Sequence, residues 1–234
     1  MPTQLLIAPP ASGKTRACIQ AVQSLLAQNP TAKTWVIVRD RLQANYFRSR
    51  LAAAGGVINV RIATFRDLYL EIIEQPGLPL HPQVSSSMQY WLIQAAVHQT
   101  ILTYFSPIRS LPGLTRSMQS LITELQRAMV TPGDLMAKAD PTRPGHTELA
   151  GVYQSYLDLL ESIGWMSSEE LAGEALRALT IAPRLLADWD LVIVDGFDWF
   201  ERAQVRTLQA LSERVQRLLI TLPGDPHWKR PVYR

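Results

Sequence analysis

The stretch TQLLIAPPASGKT, residues 3–15, decides how the rest of the chain is read. Residues 5–8 (LLIA) form a short apolar run. A turn of Pro, Ala and Ser follows, and then Gly13, Lys14 and Thr15. A phosphate-binding loop needs a buried strand, a tight turn whose backbone N–H groups point inward, and Gly-Lys-Ser/Thr on the first turn of a helix. The stretch supplies those parts in that order. On this reading the amides around Ser12 to Thr15 hold a β-phosphate at the positive end of the helix dipole. Lys14 reaches the β- and γ-phosphates, and the Thr15 hydroxyl ligates Mg²⁺. Ala8 stands where the pattern has its first glycine. The plainer alternative is a helix start carrying an exposed lysine.

A second acidic landmark lies far downstream in DWDLVIVDGFDWF, residues 188–200. Asp195 closes four apolar residues. In a nucleotide-binding sheet that is where a carboxylate holds Mg²⁺ through water. A strand can also end in Asp simply as a turn or cap residue. The two motifs together say more than either alone.

Working outward, the apolar runs 5–8, 34–38 (TWVIV), 60–63 (VRIA), 190–195 (DLVIVD) and 217–222 (RLLITL) read as buried strands. Helices are predicted over 14–28 and 43–54, the second stopping at Gly55-Gly56. Alternating strands and helices imply right-handed crossovers and a parallel sheet with helices on both faces. From residue 65 to 186 only amphipathic helical segments appear, punctuated by Pro and Gly. The fold expected is therefore α/β: a P-loop parallel sheet over 1–75 and 186–234, with an all-helical insertion over 76–185. The last strand has no helix after it, which predicts a continuing chain.

The 234 residues carry a net charge of +3, but the charge is unevenly spread. Residues 1–66 hold nine basic residues against Asp40 alone, whereas the remainder holds fourteen basic and nineteen acidic. Such asymmetry suggests a polyanionic partner for the first part. The single cysteine, Cys18, excludes an internal disulfide framework and a four-thiolate metal site, and points to a reducing cytoplasm. No run approaches the roughly 18 apolar residues that cross a bilayer, so no membrane is expected. His81, His98, His146 and His227 lack metal-site spacing.

With these motifs in place the sequence resembles the first motor domain of UvrD/Rep-like superfamily 1 DNA helicases, and more closely the AddB-like subunits of bacterial helicase–nuclease complexes. APPASGKTR is similar to that family's phosphate loop, where Ala at the position of Ala8 is common; the resemblance extends the nucleotide-binding set to Arg16. IATFRDLYLEII resembles a Thr-Phe-His-x-Leu segment, with Thr64, Phe65 and Leu68 matching and Arg66 in the histidine position. LVIVDGFDWFERAQVRTLQAL resembles the acidic motif, and ITLPGDPHW the next, with Gly224 and Asp225 retained.

The resemblance implies a RecA-like core, ATP and Mg²⁺ as ligands, single-stranded DNA as a partner, and an AddA-like partner subunit in double-strand-break repair and recombination. Arg39, Arg41, Thr64, Phe65 and Arg66 are the DNA-binding candidates, at the C-terminal ends of strands where open parallel sheets place ligands. Arg48 is a further phosphate candidate. Phe65 suits base stacking or, more ordinarily, the core. Tyr46, Trp91, Tyr153 and Tyr156 fall at helical spacing and read as packing.

Active relatives carry Asp-Glu where this chain has Asp195-Gly196, and a glutamine where it has Trp228. Loss of that glutamate removes the base for in-line attack on the γ-phosphate, so ATP binding with weak or absent hydrolysis is expected. Asp198 is a remote substitute and more simply a surface or cap residue. An active helicase ATPase and a non-catalytic scaffold with a vestigial loop are the alternatives.

Overall fold

A computed structural model describes residues 3–56, 58–140 and 142–224. Five strands form one sheet: β1 (Thr3–Ala8), β2 (Thr34–Val38), β3 (Val60–Ala63), β4 (Leu191–Asp195) and β5 (Leu218–Pro223). All neighbours are parallel and the order is β1-β5-β4-β2-β3. The chain thus leaves room between β1 and β2 that is later filled by the two strands supplied from far downstream. The consequence is positional. Ala8 pairs in register with Pro223, Ile220 with Val194, and Asp195 with Val38, so the C-terminal ends of β1, β5, β4 and β2 lie side by side.

The central strands explain the unbroken apolar runs. Every residue of β2 and β4 is buried, as expected where both faces of a parallel sheet are covered. One face receives helices α1 (Lys14–Gln28) and α2 (Arg41–Ala53). Cys18, Ile19 and Val22 of α1 and Ala44, Phe47 and Leu51 of α2 pack against Val36, Val38, Ile62, Leu191, Ile193 and Leu219. Side chains alternate along a strand, which sends the buried Trp35, Ile37, Val192 and Val194 to the opposite face. There Trp35 stacks on Trp189 with centroids 4.4 Å apart and rings 11° from parallel, and Arg61 lies over the Trp35 ring at 4.5 Å. The run 5–8 is a strand but not the buried one expected: as the edge strand, β1 has only one neighbour and leaves Leu5 and Ile7 exposed.

Helix α2 begins two residues before its predicted start because Asp40 caps it, accepting the Gln43 N–H at 2.9 Å. It ends at Gly55 and Gly56, whose φ values of 117° and 66° are left-handed. Helix α3 (Phe65–Glu74) starts on a capping box between Thr64 and Asp67.

The chain divides into two compact units. The sheet unit comprises the described residues within Met1–Leu78, Glu174–Phe200 and Gln204–Arg234; the helical unit comprises those within Pro79–Gly173 and Glu201–Ala203. Helix α8 (Leu171–Ile181) therefore joins the sheet unit from Glu174 onward, whereas the sequence pattern runs the helical segment to residue 185. Ala175, Ala178 and Leu179 are buried, and Arg214 Nη2 donates to the Leu179 carbonyl at 3.1 Å. Helix α9 (Arg202–Ser212) follows β4.

The helical unit is built from α4 (Ser86–Gln99), α5 (Pro112–Arg127), α6 (Pro132–Ala137) and α7 (Pro144–Ser162). Its core includes Ile93 and Val97, Met118 and Ile122, and Val152, Tyr153, Tyr156 and Leu160. Tyr153 and Tyr156 pack as expected, but Trp91 is 63% exposed, and in the sheet unit Tyr46 is 55% exposed. Helical spacing marks a shared face without saying whether that face is covered. The buried Glu148 carboxylate accepts the backbone N–H groups of Thr103 and Tyr104, both at 2.7 Å, and of Phe105 at 3.0 Å.

Burial pushes the Glu148 pKa up, but these three amides more than offset it and hold the group below the usual carboxylate range. A depressed folded-state pKa contributes stability that is present above the ordinary carboxylate pKa and is lost as pH falls through the folded value. Glu148→Gln is expected to destabilise the protein by about 1.5–3 kcal/mol at neutral pH. It should also lose less stability than the wild type on acidification, as read by urea unfolding across the acid range.

Candidate functional site

The turn after β1 has an unusual backbone. Ala11 takes φ 60° and Gly13 φ 91°, and Ser12 N–H donates to the Pro9 carbonyl at 3.4 Å. Left-handed conformations are costly for a residue such as Ala11 and persist where the surrounding structure imposes them. Gly13 is the N-cap of α1, and no side chain caps that helix; its first turn also carries no acidic residue. Helices α2, α3 and α4, by contrast, are capped by Asp40, Thr64 and Ser85. The first amides of α1 therefore keep their donor capacity and the positive end of the helix dipole.

Lys14 is not a solvent-extended lysine. Its Nζ donates to the carbonyls of Ala8 and Pro9, both at 2.7 Å, and so spans the turn from inside. The Gly224 N–H meets the same Ala8 carbonyl at 3.2 Å, tying the end of β5 to the turn. A Cβ on Gly224 would lie 2.8 Å from Ile7 Cγ2, so a side chain there would force Ile7 to shift.

One residue further on, Thr15 Oγ1 donates to Asp195 Oδ2 at 2.8 Å. Two motifs separated by 180 residues thus meet at one hydrogen bond. The other oxygen, Asp195 Oδ1, accepts from Thr221 Oγ1 of β5. Thr221 carries no signal in the sequence, because a threonine in an apolar run indicates only strand propensity. Thr221 is only 1% exposed and Asp195 only 5%, so the carboxylate is fixed by two hydroxyls in a mostly dry setting. Cys18 lies below. Burial first, and then the Asp195 charge, push its thiol up to about 12, leaving it protonated at neutral pH.

Gly196 has φ 84°, and a Cβ there would fall 1.9 Å from Gln43 Oε1. The absence of a glutamate side chain is thus matched by a backbone that disfavours any side chain. Gln43 is likewise unmarked in the sequence, since its role depends on α2 meeting the loop after β4.

The remaining candidates differ in exposure and in the contacts they make. Arg16, Arg41 and Arg66 are exposed. Burial raises the Asp67 pKa, but the Thr64 amide and hydroxyl, followed by Arg41 and Arg66, hold that carboxyl below its ordinary range. Arg39 is exposed and paired with Asp198 and Asp40. Arg48 is committed to the Ile62 carbonyl at 2.9 Å and to Asn45 at 3.0 Å. Thr64 serves the α3 cap. Phe65 is buried among Tyr69, Phe197 and Phe200, which places its ring in the core rather than where a base can stack. Asp225, His227 and Trp228 lie outside the described residues. Among the described residues no group of three or more His, Cys, Asp or Glu can hold a metal, and no helix is long and apolar enough to cross a membrane.

Fold and site together define a parallel α/β protein with a glycine-lysine-threonine turn facing a strand-end carboxylate. The model of the family described as ADDB, N-terminal, matches residues 5–232, and the chain belongs to that family. It is similar to an ATP-dependent helicase/deoxyribonuclease subunit of Moorella thermoacetica, at 27% identity over 97% of this chain and 21% of the relative. Proteins of the same description from Geobacillus kaustophilus and Bacillus subtilis are 25% and 22% identical, over 96% and 98% of this chain and 20% and 21% of theirs. The chain spans about a fifth of the length of these relatives.

Replacing Gly196 with glutamate, as an attempt to install a catalytic base, is expected instead to destabilise the protein by about 1–3 kcal/mol through left-handed backbone strain. Gly196→Ala should show most of that loss in urea unfolding. Adding Gln43→Ala should relieve only the part due to contact.

Proposed function

We propose that this chain binds ATP with Mg²⁺ at the turn after β1 and single-stranded DNA along the adjoining strand ends. On this reading it is the RecA-like, motor-type N-terminal part of a helicase–nuclease subunit in double-strand-break repair. The observation that carries the proposal is the meeting of Thr15 and Asp195 at 2.8 Å, beside Lys14 folded across the turn. A P-loop nucleotide site requires that constellation. An ammonium already held among loop carbonyls is placed to transfer to phosphate oxygens, while the uncapped amides of Gly13 to Thr15 receive the rest of the negative charge.

The Thr15 hydroxyl and the Asp195 carboxylate suit a magnesium ion: both are hard oxygen donors, they already touch, and Thr221 fixes the carboxylate from behind. Mg²⁺ would neutralise charge on the β- and γ-phosphates. The residues of this chain would bind and orient the nucleotide. Among the described residues the position after Asp195 offers no glutamate to accept a proton from an attacking water, because Gly196 stands there with the Gln43 side chain against it. Hydrolysis at this site is accordingly weak or absent.

The DNA part of the reading rests on Arg39, Arg41 and Arg66, exposed near strand ends in the basic first part of the chain. The description of the relatives as subunits of an ATP-dependent helicase/deoxyribonuclease supports DNA as the substrate class and an AddA-like protein as partner. A cytoplasmic location follows from that role.

A fluorescent ATP analogue with Mg²⁺ tests the nucleotide site. Lys14→Ala is expected to weaken binding about 10- to 100-fold, the equivalent of one charge-assisted hydrogen bond, with the fold intact by circular dichroism. Failure of the wild type to bind the analogue would leave only a scaffold role. Phosphate release in the presence of single-stranded DNA should remain at background; robust turnover would instead identify an active ATPase.

A further inference from the structure

The loop that leaves β4 links the two ligand regions proposed above. It carries Asp195 at its start and Asp198 three residues later. Between them Gly196 lies against the Gln43 side chain, and the buried Phe197 packs edge-on to Phe65 at 5.3 Å and against Phe200 at 5.1 Å. The loop is thus held by α2 on one side and by the first residue of α3 on the other. Asp198 is presented from a fixed backbone.

Its carboxylate faces Arg39. Arg39 Nη1 lies 3.2 Å from Asp198 Oδ2, across 159 positions of sequence, while Arg39 Nε lies 3.5 Å from Asp40 Oδ2. Asp40 has a second task, since its Oδ1 caps α2 through the Gln43 amide. Asp198 is therefore the acidic group brought from another segment to the Arg39 guanidinium. A carboxylate and a phosphate use the same donors of an arginine and compete for them.

Resting on the reading that Arg39 contacts the DNA backbone, we propose that Asp198 is an intramolecular competitor for that phosphate, a latch that Arg39 must leave before it can engage DNA. Both side chains are about half exposed, 52% for Arg39 and 53% for Asp198. Exposed pairs of this kind are weak, so the latch biases binding and does not block it. Its effect is set by competition and by repulsion between the Asp198 charge and an incoming phosphate, and both decline as salt screens them. The arrangement lowers affinity for isolated phosphates while permitting a strand that engages Arg41 and Arg66 at the same time to open the pair.

The test is fluorescence anisotropy of a labelled oligothymidylate at low salt, using the whole chain. Asp198→Asn preserves shape and removes the charge; it is expected to tighten binding about two- to fivefold, with the gain shrinking as salt is raised. Arg39→Ala should weaken binding, and in that background Asp198→Asn should give little or no gain. Asp158→Asn, which removes a charge in the helical unit, should leave affinity unchanged. If Arg39→Ala weakens binding and Asp198→Asn does not tighten it, the latch is overturned and the DNA reading stands. An equal gain with and without Arg39 also overturns the latch, since only general repulsion would then be at work. No change on Arg39→Ala would remove Arg39 from the DNA path and the latch with it.

Discussion

The arrangement of the sheet unit converges on one buried carboxylate. Asp195 is held at one oxygen by Thr15 from the first turn of α1 and at the other by Thr221 from β5. A buried charge without partners is too costly to persist, so these two hydroxyls are a condition of keeping a carboxylate in a nearly dry place. Meeting that condition requires β5 to lie between β1 and β4. Strand order, the tight turn after β1 and the burial of a threonine in an apolar strand are thus parts of one constraint.

The parts of this constraint that were legible in the sequence are the local ones. Apolar runs bounded by turn residues located all five strands; the central β2 and β4 are buried as such runs imply, whereas β1 is an edge strand that leaves most of its residues exposed. Gly13, Lys14 and Thr15 announced the turn because a left-handed N-cap followed by a lysine is chemically distinctive. The long-range parts were not legible. Nothing in RLLITL says that Thr221 will meet Asp195, since strand order depends on pairings between segments far apart in the chain. Asp198 read as a surface residue for the same reason: its partner Arg39 is supplied by the turn after β2.

Gly196 illustrates a middle case. The sequence marks a missing glutamate, whereas the structure supplies a conformational cause, a left-handed backbone with a glutamine side chain lying where Cβ would be. Aromatic spacing was the least informative signal. It correctly buried Tyr153 and Tyr156 but wrongly assigned Tyr46 and Trp91 to packing, because periodicity reports which residues share a helix face and not what covers it. The end of the helical segment was similarly invisible, since α8 is an amphipathic helix whichever unit receives its apolar side.

Cys18 has a practical corollary. As the sole thiol in the chain, fully buried and with its ionisation pushed up by the low-dielectric core and the neighbouring Asp195 charge, it is a poor nucleophile toward maleimides and iodoacetamides while the fold is intact. A cysteine introduced at an exposed position would then be the preferred attachment point for a dye or spin probe, without first removing the native one. The same burial makes Cys18 a reporter of opening: its alkylation requires α1 to lift from the sheet, so the labelling rate measures how often that helix detaches.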